Sequence, residues 1–172
     1  MTTTIIVEDG TVVSGSNSYV TVSGIGIYAT DYNLSAWTAT TVTDTIREQA
    51  VFKSMRYLEA LNWNGTKSTQ AQDLEFPRDG LYDRNNYLIA SDTIPQAVIN
   101  AQCEIAVLSL PDAPINLQPN LTKDDYTEEI GIEDATKEKW GDIGAIRPIS
   151  TAVKDILKGL ITSSLNVPVE RG

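Results

Sequence analysis

The sequence predicts a mainly α-helical fold, a small domain with three core helices and a further helix near the C-terminus. A short N-terminal strand, a long loop and a candidate β-hairpin complete the expected elements. Two observations carry this fold class. Apolar residues recur every three or four positions in 44–62 and 94–110, the spacing of a helix with one buried face. Residues 64–91, by contrast, contain turn-forming residues and almost no periodicity.

The segment 44–62 is the clearest helix in the sequence. Thr45 and Glu48 have the spacing of a capping box, which would satisfy two free amides at the start of the helix. Gly65 follows the last periodic residues and is typical of the region just after a helix. The expected buried stripe consists of Ile46, Ala50, Val51, Met55, Leu58 and Leu61.

The helix at 94–110 has equally clear boundaries. Thr93 is a candidate N-cap, and Pro95 would lie in the first turn, where its missing N–H is not needed. Pro111 stops the pattern. A last amphipathic helix is expected at about 150–163.

The remaining elements have weaker patterns. Residues 3–7 are β-branched and predict a short strand, and the apolar residues of 19–31 fit a helix or a strand, of which we favour the helix. Gly24 and Gly26 lower helix propensity there. The segments 126–132 and 136–140 are candidate strands of a hairpin.

Composition argues against most enzyme classes. The 172 residues include no histidine and one cysteine, so the commonest general base and the usual zinc ligands are missing. Cys103 lies in the apolar pattern of the helix at 94–110 and is interpreted as a small buried residue. We therefore expect no catalytic residues, no metal site and no cofactor. No run of residues is apolar enough for a membrane span.

Charge disfavours strong binding to nucleic acid. The chain has 13 Lys and Arg against 23 Asp and Glu, a net charge of −10. Because affinity for phosphate depends largely on basic side chains, no strong basic field is expected. The densest acidic stretch is 104–142.

The loop at 64–91 is long enough to suggest a functional role. Its aromatic residues with Arg78 and Arg84 have the composition of a base-stacking surface. The alternative, which we favour, is that the loop folds onto the helices with Phe76 and Tyr82 buried and Arg78 paired to an acid. The candidate loop or inter-subunit contact residues are Trp63, Phe76, Arg78, Tyr82 and Arg84.

The order of several motifs resembles a family of short phage proteins. These motifs are Ile6–Gly10 with Asn17–Val20, Tyr57–Ala60 with Trp63–Gly65, Phe76–Asp83, Ile94–Val98 and Ala101–Glu104. The resemblance covers residues 5–110 well and the rest loosely. Thr21–Ile27 departs from the acidic, alanine-rich first helix that the family would have. The family is labelled DnaT-like single-stranded DNA-binding, and it is also similar to adaptor proteins of the phage head–tail connector.

The two labels imply different functions, and the charge favours the adaptor. An adaptor is a structural virion protein, made in the host cytoplasm, whose copies form a ring, by resemblance dodecameric. Its partners would be the portal protein and a downstream stopper or tail protein, with DNA passing through the lumen without specific binding. The alternative is a single-stranded DNA-binding replication accessory protein, which would need a basic groove with stacking aromatics.

The adaptor interpretation divides the chain into a helical domain at 1–144 and a C-terminal helix with an extended arm at 145–172. The arm is the candidate portal-binding element, because its apolar face has no obvious place in a small core. Equally, this helix could complete the core. The candidate portal-binding residues are Ile149, Val153, Ile156, Leu157, Leu160 and Val167.

Overall fold

The computed structural model describes residues 4–111 and 151–162, and within them the fold is mainly α-helical, as predicted. The elements are α1 (Val22–Asp31), α2 (Ser35–Thr38), α3 (Asp44–Leu58), β1 (Thr66–Lys67), β2 (Arg78–Asp79), α4 (Gln96–Leu108) and α5 (Thr151–Ile156). Helix α4 is central and packs against α1, α3 and α5. The hairpin strands expected at 126–132 and 136–140 lie outside the described residues. None of the described helices has the length and hydropathy to cross a bilayer.

Helix α3 forms where the periodicity predicted it, but both ends differ. The cap is Thr43, whose hydroxyl accepts a hydrogen bond from the Ile46 amide at 3.3 Å, so the capping box expected at Thr45 is wrong. The helix ends at Leu58 instead of continuing to residue 62, since the indole of Trp63 donates to the Leu58 carbonyl at 3.0 Å. The indole thus occupies the Leu58 carbonyl, which would accept a backbone hydrogen bond if the helix continued to residue 62.

Helix α4 begins later than its sequence pattern indicates. Pro95 occupies the N-cap position, and its carbonyl accepts from the Val98 amide at 2.8 Å, so Thr93 does not cap this helix. Apolar residues of two core clusters meet on α4. Val98, Ala101 and Ile105 belong to one cluster, and Cys103 and Ala106 belong to the other.

Helix α1 confirms the helical alternative for this segment but starts at Val22 instead of residue 19. The Tyr19 amide donates to the side chain of Gln102 at 2.9 Å and so does not join a helix. Gly24, which lowers the helix propensity, has a packing role. A Cβ at this position would lie 2.6 Å from Val20 Cγ2, closer than side chains allow. The short helix α2 was not predicted.

The two β regions differ most from the sequence prediction. The N-terminal strand is reduced to an isolated bridge between Val7 and Ser18. The segment 64–91 carries β1 and β2, paired antiparallel with Thr66 opposite Asp79. Gly65 makes this pairing feasible, because its φ of +68° and missing Cβ let the Asp79 carbonyl approach.

A buried hydroxyl links three parts of the fold. The Tyr19 hydroxyl donates to Glu59 Oε1 at 3.1 Å and accepts from the Phe76 amide at 3.0 Å. Glu59 Oε1 also accepts from the Glu75 amide at 3.2 Å. Burial raises the pKa of the Glu59 carboxyl above its ordinary value of 4.5, although both hydrogen bonds act in the opposite direction. The Glu59 carboxyl therefore links the end of α3 to the segment before β2. Burial disfavours the ionised form of this carboxyl.

This raised pKa predicts how Glu59→Gln alters stability with pH. A carboxyl whose folded pKa exceeds its unfolded value stabilises the fold below the unfolded pKa, and that contribution is lost as pH rises through the folded pKa. Glutamine keeps an oxygen acceptor and carries no charge. The free energy of unfolding of Glu59→Gln, relative to wild type, should therefore increase as pH rises from about 4.5 towards 7. Urea unfolding at several pH values measures this, and a decreasing difference would contradict the account.

Candidate functional site

Two of the predicted contact residues are core residues. Phe76 is fully buried, and Trp63 is 8% exposed. Their rings pack edge to face with centroids 4.8 Å apart, and Tyr19 packs edge to face on the other side of Phe76 at 6.1 Å. Both rings lie in the core, as the favoured interpretation expects for Phe76, and neither is exposed for a contact between subunits. The cause is the fold of 64–91, which lies over α3.

Arg78 is also structural. Its Nε donates to the Asn64 carbonyl at 2.8 Å, Nη2 donates to the Gly65 carbonyl at 2.9 Å, and Nη1 pairs with Glu75 Oε2 at 2.5 Å. The side chain is almost buried. The alternative in which Arg78 pairs with an acid is therefore the observed one, and its guanidinium holds the turn before β1.

The C-terminal helix α5 contributes to the core. Val153 and Leu157 are fully buried and Leu160 is 5% exposed, all in the cluster that includes Phe76. Ile156 is partly buried against the same cluster. This arrangement corresponds to the alternative in which the helix completes the core. Ile149, Val167 and the boundary at 144–145 lie outside the described residues.

Tyr82 and Arg84, in contrast, are exposed. Tyr82 was expected to be buried, but half of its surface is accessible, as are 71% of Tyr87 and 62% of Leu88. These residues lie on a turn that we call the tyrosine hairpin, residues 81–89. The chain thus exposes three large apolar side chains within seven consecutive positions. Such a concentration marks an interaction surface more often than scattered single residues do.

The tyrosine hairpin is held by backbone and side-chain bonds. Ile89 N donates to Leu81 O at 2.8 Å, and Asp83 N donates to Tyr87 O at 2.9 Å. Asp83 Oδ1 accepts from the amides of Asn85 and Tyr87, both at 2.8 Å. The carboxylate therefore serves the turn itself. The two tyrosines are presented by an ordered turn and not by an unstructured loop.

An open groove lies between the tyrosine hairpin, α4 and α5. Its volume is about 470 Å³, and we call it the hairpin groove. The lining residues are Asp83, Arg84, Asn85, Ile89, Pro95, Gln96, Ala97, Asn100, Ile156, Lys158 and Leu160. Two of them are cations, and the single carboxylate is the one engaged in the turn. The groove is therefore locally basic in a chain whose net charge is −10.

Among the described residues, two polar side chains of the groove keep hydrogen-bonding groups without a partner. Gln96 Nε2 donates to Asn100 Oδ1 at 2.9 Å, which leaves the Gln96 oxygen and the Asn100 amide hydrogens for a ligand. Arg84 Nη2 donates to the carbonyls of Asp155 and Ile156 at the end of α5. The arginine is thereby positioned, and part of its guanidinium faces the groove.

Several groove residues were missed from the sequence. Lys158 is separated from Arg84 by 74 positions, and the packing of α5 onto α4 brings the lysine to the same groove. Gln96 and Asn100 are four positions apart and share a helical face, a signal that was present but looked like ordinary solvated helix surface. The turn-forming run between Tyr82 and Tyr87 could have predicted the hairpin.

Cys103 is poorly suited to act as a nucleophile. Burial raises the pKa of the Cys103 thiol to about 12, so the reactive thiolate is disfavoured at neutral pH. Cys103 is 1% exposed, as expected for a small buried residue. Within 4–111 and 151–162, no group of three or more metal-ligating side chains comes together.

A family model described as "Putative DnaT-like ssDNA binding protein" matches residues 3–172. No curated protein and no solved structure matches the chain. The match extends over almost the whole sequence, beyond the residues 5–110 in which the motifs are dense.

Proposed function

The chain belongs to the DnaT-like single-stranded DNA-binding family, and from this membership we propose that it binds single-stranded DNA at the tyrosine hairpin. One observation supports this site above all: the hairpin that exposes two tyrosines also contributes Asp83, Arg84 and Asn85 to the lining of a groove with two cations. Single-stranded DNA is typically bound by aromatic rings on which bases stack and by positive charges along the backbone. The net charge alone favours the adaptor function, whereas this proposal favours DNA binding.

The tyrosine hairpin and the hairpin groove have different roles in this proposal. Tyr82 and Tyr87 offer ring faces to unpaired bases, and stacking of this kind tolerates any base. Arg84 and Lys158 pair with phosphates. Gln96 and Asn100 offer amide groups to base edges. Because two cations of the described part of the chain line the groove, we expect weak binding that depends more on stacking than on charge.

We expect the double substitution Tyr82→Ala with Tyr87→Ala to weaken DNA binding at least about tenfold, since base–aromatic stacking contributes about 1–3 kcal/mol per base. The measurement is fluorescence anisotropy at low salt with a labelled oligothymidylate of about 15 nucleotides. Neither ring belongs to the core, so the variant should fold normally.

Tyr32→Ala is the matched control. Tyr32 is 59% exposed and lies at the end of α1, away from the hairpin groove, where it stacks on Tyr28. This variant should bind DNA as the wild type does. Equal binding by the wild type and the double variant would remove the hairpin from the proposal, and equal losses in both variants would point to a non-specific effect.

The second candidate function is the adaptor of a phage head–tail connector. It is favoured by the net charge of −10, since an acidic ring would let DNA pass without holding it. In this proposal the chain is a non-enzymatic virion protein that forms a ring, dodecameric by resemblance, between portal and tail proteins. The exposed hairpin residues Tyr82 and Leu88 would then contact a neighbouring subunit.

Electron microscopy of the purified chain mixed with a portal ring distinguishes the two candidates. Rings seated on the portal, together with no measurable DNA binding, would favour the adaptor. A monomer that binds oligothymidylate and ignores the portal would favour DNA binding.

A further inference from the structure

A second cleft lies among α1, α2 and the start of α3. Its volume is about 600 Å³, and we call it the indole cleft. It is lined by Val22, Ser23, Gly26, Trp37, Thr38, Asp44, Arg47 and Glu48. None of these residues lines the hairpin groove, so the two surfaces are separate.

Trp37 provides a free hydrogen-bond donor in this cleft. The side chain is buried, with the residue 2% exposed, yet its Nε1–H has no acceptor among the described residues. No fully buried side-chain nitrogen or oxygen of the described structure lacks a partner, so Nε1 keeps some accessible surface. Trp37 and Gly26, which lies opposite Nε1, both line the cleft. Trp63 shows the usual arrangement, because its Nε1 donates to a carbonyl.

Gly26 keeps the space in front of the indole open. A Cβ built on Gly26 would lie 3.6 Å from Trp37 Nε1 and 4.0 Å from Cδ1. This is ordinary contact distance, so a side chain here would fit the helix while occupying the approach to the N–H. The glycine is thus compatible with an acceptor reaching Nε1 from the cleft.

The charges of the indole cleft indicate what kind of ligand fits. Arg47 is engaged: Nε and Nη2 donate to the Trp37 carbonyl, both at 3.2 Å, and Nη1 pairs with Asp44 at 2.8 Å. Glu48 has no hydrogen-bonding or ionic partner among the described residues. The cleft therefore combines one free donor with a free carboxylate and a second, highly exposed carboxylate on Asp44.

We propose that the indole cleft binds a basic, extended peptide segment of a partner protein. A backbone carbonyl of that segment accepts from Trp37 Nε1–H, and a lysine or arginine side chain lies against Glu48 and Asp44. The carboxylates disfavour phosphate, so this surface is not an extension of the DNA site. Val22 and Gly26 leave room for the peptide backbone between α1 and α3.

The test uses nuclear magnetic resonance of the indole N–H groups in the full-length protein. The probe is a capped pentapeptide of sequence Gly-Lys-Gly-Arg-Gly, and the matched control is Gly-Glu-Gly-Asp-Gly. Trp37→Phe identifies the Trp37 signal. We expect the basic peptide to shift the Trp37 signal saturably at millimolar concentration, while the Trp63 signal stays in place.

Two variants test the assignment to this cleft. Gly26→Ala should abolish the shift by occupying the approach to Nε1, and Glu48→Gln should weaken binding roughly threefold to fivefold. The proposal is overturned if neither peptide shifts Trp37 or both shift it equally. It is likewise overturned if oligothymidylate, or a rise in protein concentration alone, produces the same shift.

Discussion

Phe76→Ala is expected to lower the free energy of unfolding by about 3–5 kcal/mol, the usual cost of deleting a buried aromatic ring. Phe76 is fully buried and packs edge to face against both Tyr19 and Trp63. It belongs to the cluster that joins α3, α4 and α5, so the cavity would open where all three helices meet.

Urea unfolding followed by circular dichroism measures this loss. Tyr87→Ala is the matched control, because Tyr87 is an aromatic residue of the same segment that is 71% exposed. Its removal should change the midpoint little. A Phe76→Ala variant as stable as Tyr87→Ala would show that the ring is not a core residue.

The second large effect is expected for Glu8→Ala, at about 3 kcal/mol, because one buried and two partly buried amides would lose their acceptor. Glu8 is 2% exposed, and Oε1 accepts from the amides of Gly10 and Val12 at 2.8 and 3.0 Å. Oε2 accepts from Val13 N at 2.8 Å and from the Ser16 hydroxyl at 3.2 Å. The carboxylate thus organises the whole turn after Val7.

Asp9→Ala is the control for Glu8→Ala. Asp9 is adjacent and exposed, and within the described segments its carboxylate accepts hydrogen bonds from Thr11 of its own turn. Thermal unfolding should show a clear decrease for the Glu8 variant and almost none for the Asp9 variant. Equal midpoints for the two variants would mean that water replaces the Glu8 carboxylate without cost.

The helices that carry strong apolar periodicity were predictable, and their ends were not. The stripes of α3 and α4 are visible in the sequence because they follow from helix geometry alone. Helix ends, however, depend on tertiary contacts. At the end of α3 the Trp63 indole donates to the Leu58 carbonyl, and before α1 the Tyr19 amide donates to the Gln102 side chain. No local pattern contains those contacts.

The motif Phe76–Asp83 combines interior and exposed residues, and the favoured interpretation of the sequence differs from the structure at Tyr82. Phe76 and Arg78 are interior residues, as the favoured alternative had it, whereas Tyr82 is exposed. Residue type does not separate these cases, since an aromatic residue stabilises a core or a binding surface equally well. The long-range packing of 64–91 onto α3 decides which of them is buried.

The net charge of the chain does not predict the charge of the hairpin groove. A total of −10 describes the average field, and it does not reveal that Arg84 and Lys158 meet at one groove. The position of Lys158 depends on α5 packing against α4, an arrangement that the sequence left as one of two alternatives.

Salt dependence of the affinity of the wild-type chain for oligothymidylate tests the central claim most directly. With two groove cations neutralising two phosphates, a plot of log association constant against log salt should have a slope of about −1.4. Detectable binding at low salt with this shallow slope is the predicted result. No change in anisotropy at low salt, even at protein concentrations approaching millimolar, would contradict single-stranded DNA binding.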